Sequence, residues 1–165
     1  MIRRVALGLA VVVSAAGCSG AGPSEVFART DACKLLTTAA RGTPIDLRRS
    51  EYKLTASTPA AVTGGVGGCR TEWNPPRGKL TGGDLAATLD LAEAEDWSGH
   101  SESSVQGGHD VRKDTAKGGG GCRYQVQISG TDAAVHVWYL DRSVGNEGSC
   151  AVAKQLVDQV IPSLP

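Results

Sequence analysis

The sequence predicts an α+β domain: an antiparallel sheet of four to five strands, an N-terminal and a C-terminal helix packed on one face, and two disulfides. Three observations lead there. Helical spacing of apolar residues occurs near the two ends of the exported portion. Between them, apolar and polar residues alternate, as half-buried strands require. Four cysteines remain once the one at the export signal is set aside, an even number in a chain with an export start.

That start is MIRRVALGLAVVVSAAGC. Arg3 and Arg4 are positive, Val5 to Ala16 is apolar and uncharged, and Ala15-Ala16-Gly17 puts small residues before Cys18. The order is that of a secretory signal ending in a lipobox. The apolar run is too short to cross ~30 Å of hydrocarbon. The rival reading is an ordinary secreted protein cut near Ala16 with Cys18 free. The small triplet favours acylation of Cys18, and a doubly acylated cysteine is a lasting anchor, at about 0.8 kcal/mol per buried methylene. The expected division is a signal peptide over 1–17, a lipidated cysteine and short tether over 18–28, and one extracytoplasmic domain over 29–165. The expected location is the outer face of the cell membrane.

Along that domain, Ser19 to Ser24 reads as flexible tether. Asp31 is placed to cap a helix from Ala32 to Arg41, with Leu35 and Leu36 inward and Gly42 and Pro44 ending it. Residues 45–63 carry no clean period, although Leu47 and Leu54 are candidates for packing. Gly64, Gly65, Gly67 and Gly68 read as a mobile turn. Cys69, Thr71 and Trp73 then share a strand face, and Asn74-Pro75-Pro76 stops that strand. Leu85, Ala87, Leu89 and Leu91 alternate as a strand, while Leu85, Leu89 and Ala92 also fit a helix. Residues 93–108 are polar and irregular, with Trp97 the large apolar group. His109 to Asp114 reads as a short edge strand before Gly118–Gly121.

The last third has the clearest pattern. Cys122 to Ile128 and Ala133 to Leu140 alternate around a Ser129–Asp132 turn and form a hairpin. Val135, Val137 and Tyr139 share one face; His136 and Trp138 share the other. Ser149 is placed to cap a helix to about Ile161, with Val152, Leu156, Val160 and Ile161 as its apolar stripe and Pro162 ending it.

After removal of 1–17 the chain has 148 residues, 15 basic and 17 acidic, a formal charge of −2. That balance argues against nucleic acid, which needs a positive footprint. No basic cluster is present to grip anionic lipid, so a membrane contact would depend on the anchor. Cys33, Cys69, Cys122 and Cys150 lie far apart and form no Cys-x-x-Cys, so bridges are expected over a metal site. Four cysteines allow three pairings. Each half of the chain holds one helix cysteine and one strand cysteine, which favours Cys33–Cys69 and Cys122–Cys150.

No catalytic, metal or cofactor constellation stands out. His100, His109 and His136 lack zinc spacing. His109-Asp110 would point to opposite sides of a strand, and no serine sits in Gly-x-Ser-x-Gly. Glu93, Glu95, Asp96 and Glu102 match no calcium loop and read as a solvated connector. Gly118–Gly121 lacks the Lys-Ser or Lys-Thr and the helix of a phosphate cradle. Trp97 and Trp138 are the candidate binding residues; an exposed tryptophan is a common anchor, although a core position suits Trp138 equally.

Several pieces in fixed order resemble a family of actinobacterial cell-envelope lipoproteins that carries a domain of unknown function. They are the lipobox to Cys18, Asp31-Ala32-Cys33-Lys34-Leu35-Leu36, and the glycines before Cys69-Arg70-Thr71-Glu72-Trp73. The glycines before Cys122-Arg123-Tyr124-Gln125-Val126 and the segment from Cys150-Ala151-Val152-Ala153 to Leu164-Pro165 complete the set. Ala32 stands where the family often has Pro, and Trp73 lies four residues after its cysteine rather than two. The resemblance implies a lipid-anchored envelope protein with local disulfides and carries over no catalytic residue.

The sequence thus points to a non-enzymatic envelope module, without cofactor, that binds a protein, peptide or wall component. The alternative is a carrier of a small apolar ligand or lipid, with a pocket between sheet and helices. Scarce aromatics, with a single Phe, make a large apolar cavity less natural.

Overall fold

The computed structural model describes residues 20–43, 53–62, 65–74, 85–97, 102–115 and 120–165. The signal peptide, Cys18, Pro44, Leu47, Gly64, His100 and Gly118–Gly119 lie outside the described residues. Among the described residues the α-helices are α1 (Pro23–Val26), α2 (Ala32–Gly42) and α3 (Gly145–Val160), the last followed by a 3-10 turn at Ile161–Ser163. The strands are β1 (Lys53–Leu54), β2 (Thr58–Ala60), β3 (Gly65–Asn74), β4 (Leu85–Glu93), β5 (Glu102–Gln106), β6 (His109–Thr115), β7 (Gly121–Gln127) and β8 (Ala133–Asp141). All pair antiparallel in one sheet of order β1-β3-β4-β8-β7-β6-β5, with β2 beside β1 on the same edge of β3.

The α+β class and both bridges follow the sequence, but the strand count does not. Seven strands lie along the sheet, where four to five were expected. The additional ones are short, edge-lying or glycine-rich, so alternation of large apolar groups is weak in them. Strand β5 is Glu-Ser-Ser-Val-Gln, exposed along almost its whole length, and it makes β6 an inner strand rather than an edge. The β5–β6 hairpin closes on Gly107 and Gly108, both at positive φ (58° and 86°), as a two-residue turn of this twist demands. The glycines at 65, 67 and 68, read as a turn, begin β3 with an irregularity between Gly65 and Gly67. A Cβ at Gly68 would lie 2.4 Å from Val62 Cγ2, 2.6 Å from Asp90 Oδ1 and 3.2 Å from the Ala60 carbonyl, so a side chain here would crowd β4 and the end of β2 with the residues just after it. Leu85–Glu93 is strand, as its period-two reading has it.

Within the segment expected to be tether, residues 23–26 form α1, and Phe27 is 3% exposed in the core. At the first long helix, Asp31 Oδ1 accepts from the amides of Cys33 and Lys34 (2.9 and 3.0 Å), the N-cap that the sequence indicates. Ser149 is no cap. Helix α3 starts four residues earlier, at Gly145, and buries Ser149, whose hydroxyl donates to the carbonyls of Gly120 (2.8 Å) and Asp141 (3.2 Å). That bond fastens α3 to the strand ends beneath it.

Register sets the two sheet faces. Cys69, Ala87, Leu89, Leu91, Val135, Val137, Tyr139, Tyr124, Val126 and Val111 point to the helices and are all buried. Leu36 from α2 and Leu156, Val157 and Val160 from α3 fill the layer above them. Trp73 meets Tyr139 edge-on, with ring centroids 5.9 Å apart. The bridges Cys33–Cys69 and Cys122–Cys150, with Cα separations of 5.0 and 4.9 Å, bind α2 to β3 and α3 to β7. Each closes a loop of 36 or 28 residues.

Loops of that length are each worth about 3–4 kcal/mol through restriction of the unfolded chain. Replacing Cys122 and Cys150 together by Ala is expected to lower unfolding free energy in a denaturant titration by about that amount. An unchanged midpoint would contradict it.

Candidate functional site

The face away from the helices is polar, and its residues come from the alternate positions of the same strands. Two adjacent cross-strand rows define its centre. One runs Arg70–Thr88–Trp138–Arg123–Asp114 and the other Gly68–Asp90–His136–Gln125–Arg112. Thr88, Asp90, Asp114, Arg123, His136 and Trp138 line a groove of about 440 Å³. Trp138 is 41% exposed there. Its neighbours on β8, Val137 and Tyr139, are in the core; period two places the indole outward.

One end of this face is covered by the segment following β4. Ala94 N–H donates to the Asp132 carbonyl (2.8 Å) and Glu95 N–H to Gln125 Oε1 (2.8 Å). Gln125 Nε2 returns a bond to the Glu95 carbonyl (3.0 Å). Gln125 is wholly buried, so its amide acts as a two-pronged clasp on the segment. The fold brings Trp97 down beside it, 8% exposed. Trp97 Nε1 donates to Glu95 Oε2 (2.8 Å), and its ring lies 4.8 Å from the Arg123 guanidinium carbon, a cation–π contact. The two candidate tryptophans thus differ in environment: Trp138 is open, whereas Trp97 is a clamp beneath which Arg123 is held.

Arg123 Nη2 donates to Glu95 Oε1 and, at 2.9 Å, to His136 Nδ1. A guanidinium has no acceptor, so His136 Nδ1 is the unprotonated nitrogen. His136 Nε2 then donates to the Glu93 carbonyl (3.0 Å). Both ring nitrogens are engaged and the imidazole is neutral. Burial is the chief cause holding its pKa below the ordinary histidine value, aided by Arg123 and opposed by the Glu93 bond. Burial raises the Asp90 carboxyl above its ordinary value, against the pull of His136 and Arg123. At Glu95, burial raises the pKa, but bonds from Trp97 and Arg123 outweigh it and leave the carboxyl below its usual range.

The arginines of this face are paired: Arg70 with Glu72 (2.9 Å), Arg112 with Asp110 (3.0 Å) and Arg123 with Glu95. Asp110 lies on this outer face, opposite to His109, whose side chain points with Val111 toward the helices; the two form no dyad. Among the described residues no group of three or more His, Cys, Asp or Glu could hold a metal ion, and no described helix is long and apolar enough to cross a membrane.

The β8 alternation sets Trp138 opposite Val137 and Tyr139, and the structure decides between the two positions left open for it by exposing it on the outer face. The Arg123–Glu95–Trp97–His136 network does not follow from alternation, because it depends on the fold-over of residues 94–97 across two other strands. Alternation in Cys122–Ile128 does leave Arg123 and Gln125 on the outer side, which is the part of it a sequence carries. The acidic residues are solvent-exposed as expected, but they are not all connector: Glu93 ends β4, Glu102 begins β5 and pairs with Lys113 (2.7 Å), and Glu95 pairs with Arg123. Comparison with protein-family models, with curated proteins and with solved structures finds no match.

Neutral His136 yields a pH prediction. Its folded pKa lies below the unfolded value, so the unfolded chain binds the proton first. The stability it confers is complete above the unfolded pKa of about 6.5 and is lost as pH falls through the folded pKa. Long-range ¹⁵N NMR is expected to show the Nε2–H tautomer in the folded protein and a titration midpoint for His136 below that of the unfolded chain. A midpoint at or above the unfolded one would contradict the assignment.

Proposed function

We propose that the protein is a membrane-anchored extracytoplasmic lipoprotein whose open sheet face is a non-catalytic binding surface for an envelope protein, peptide or wall component. One observation carries the reading. Trp138 stands exposed at the centre of a sheet whose other face is sealed by two bridged helices. An aromatic ring ringed by fixed polar groups is an economical contact: it has large area, few rotamers and little ordering cost. The groups around it are held before any partner arrives, Arg123 by three contacts and His136 by two.

The reactive groups of this face are already committed. His136 has no free nitrogen to act as a base, and Arg123 is bound to Glu95. The space between sheet and helices is occupied by Leu36, Leu89, Leu91, Val135, Val137, Leu156 and Val157, each at most 1% exposed. A binding module therefore fits these observations better than a carrier with an interlayer pocket. The charged start, the small triplet before Cys18 and the resemblance to actinobacterial lipoproteins support the anchored, exported part of the reading.

Two measurements test the two parts. Cys18→Ser is expected to move the protein from the membrane fraction to the soluble one; retention on the membrane would contradict the anchor. For the surface, wall fragments and envelope proteins retained by the immobilised domain are compared with those retained by Trp138→Ala. A loss of roughly 30-fold in affinity, a hot-spot effect of about 2 kcal/mol, is expected with the fold unchanged. Equal retention by both would remove Trp138 and its face from the function.

A further inference from the structure

Resting on the reading that Cys18 is acylated, we propose that the end of the sheet bearing the β7–β8 turn sits against the lipid bilayer, seated there by the anchor and by the side chains of Val66 and Val105.

Chain geometry fixes which end lies near the lipid. Asp132 N–H donates to the Ala21 carbonyl (3.3 Å). At Gly20 the chain runs so close to the turn that a Cβ would lie 3.1 Å from Thr131 Cα. The N-terminal segment is thus fastened to the turn between β7 and β8, and Phe27 buries the next part of it in the core. Cys18 is two residues before Gly20. Even fully extended, two residues reach only about 7 Å. The far end of β8 at Asp141 is eight residues from Ala133, or roughly 27 Å along the strand. A lipid on Cys18 therefore meets the turn end and not the other.

A second observation concerns the surface of that same end. The exposed large hydrophobic side chains among the described residues are Val66 (45%), Val105 (78%) and Trp138 (41%). Two of these three border the turn. Cross-strand pairing runs Gly65–Ala92–Ala134–Gln127–Asp110–Val105. This row is the last to cross continuously from β3 to β5 before the β7–β8 turn, with Val66 beside one end and Val105 at the other. Five inter-strand spacings separate β3 from β5, about 24 Å. The anchor leaves between these ends, so lipid and two apolar tips make three separated points of contact. A single flexible attachment would leave tilt free; three points restrain it.

Charge does not carry this contact. Glu93, Glu95, Asp96 and Asp132 are exposed near the same end and repel anionic headgroups within the Debye length of about 10 Å at 0.1 M salt. The surface that fits is zwitterionic lipid met by acyl chains and valines. Trp138 lies five residues from Ala133, roughly 17 Å up the strand. The groove around it then stands clear of the headgroups and is approached from the side.

The test uses the full acylated chain extracted from membranes and reconstituted in phosphatidylcholine vesicles. A nitroxide-bearing amino acid replaces Val66, Val105 or, at the opposite end, the exposed Glu147 in α3, one at a time. Collisional relaxation by oxygen and by a water-soluble nickel chelate is measured, with the mass of the N-terminal peptide determined on the same samples. The expected result is an oxygen-to-nickel ratio several-fold higher at 66 and 105 than at 147. An acylated N-terminal peptide with equal ratios at all three positions would overturn the orientation and leave the anchor standing. An N-terminal peptide without lipid would overturn both.

Discussion

Two sulfur bridges tie both helices to one face of a single sheet, and the rest of the molecule follows from that constraint. The bridges fall on either side of the sheet centre, at β3 and β7, with β4 and β8 between them. The central strands turn mostly Ala, Val and Leu toward the helices, with Tyr139 the aromatic among them. Small side chains let the helices come close but bury modest area per residue. At about 25 cal/mol per Å², an alanine-rich layer supplies less than a bulkier core would, and covalent ties limit the unfolded chain instead. Such bridges persist where the surroundings are oxidising.

Sealing one face leaves the other to polar chemistry. The outer rows satisfy themselves: arginine with carboxylate, glutamine amide with backbone, histidine between guanidinium and carbonyl. Buried polar groups of this kind are favourable only when every member is paired, and then they rigidify the surface around them. Trp138 gains from this. Its ring is exposed, but the strands and side chains that hold it do not have to be ordered when something binds.

Much of the architecture is legible in the residues, for a physical reason. Where one face is buried and the other wet, alternation in β4, β7 and β8 reveals the strand and its register parity, with His136 and Trp138 together opposite Val135, Val137 and Tyr139. Asp31 announces α2 because capping is a local bond to amides two and three residues on. The pairing of cysteines follows chain order because each helix packs on strands close to it in sequence. Strand β5 is obscure, since an exposed edge has no apolar face to betray it; Gly107-Gly108 was its one local mark. The start of β3 is obscure for the opposite reason: Gly68 is selected by crowding from β2 and β4, a long-range cause. Ser149 misleads because its hydroxyl serves carbonyls from two strand ends rather than its own helix. The clasp on residues 94–97 needs Gln125 to meet Glu95 across the sheet, and no local pattern encodes that.

The placement of both helices on one face stands or falls with which sulfurs are joined. In the sheet, Cys69 and Cys122 are three strand spacings apart, roughly 14 Å, beyond the reach of a bridge. Non-reducing peptide mapping of the protein, purified without reductant, resolves the matter directly. The account predicts Cys33 linked to Cys69 and Cys122 linked to Cys150. A peptide joining Cys69 to Cys122, or Cys33 to Cys150, would contradict it.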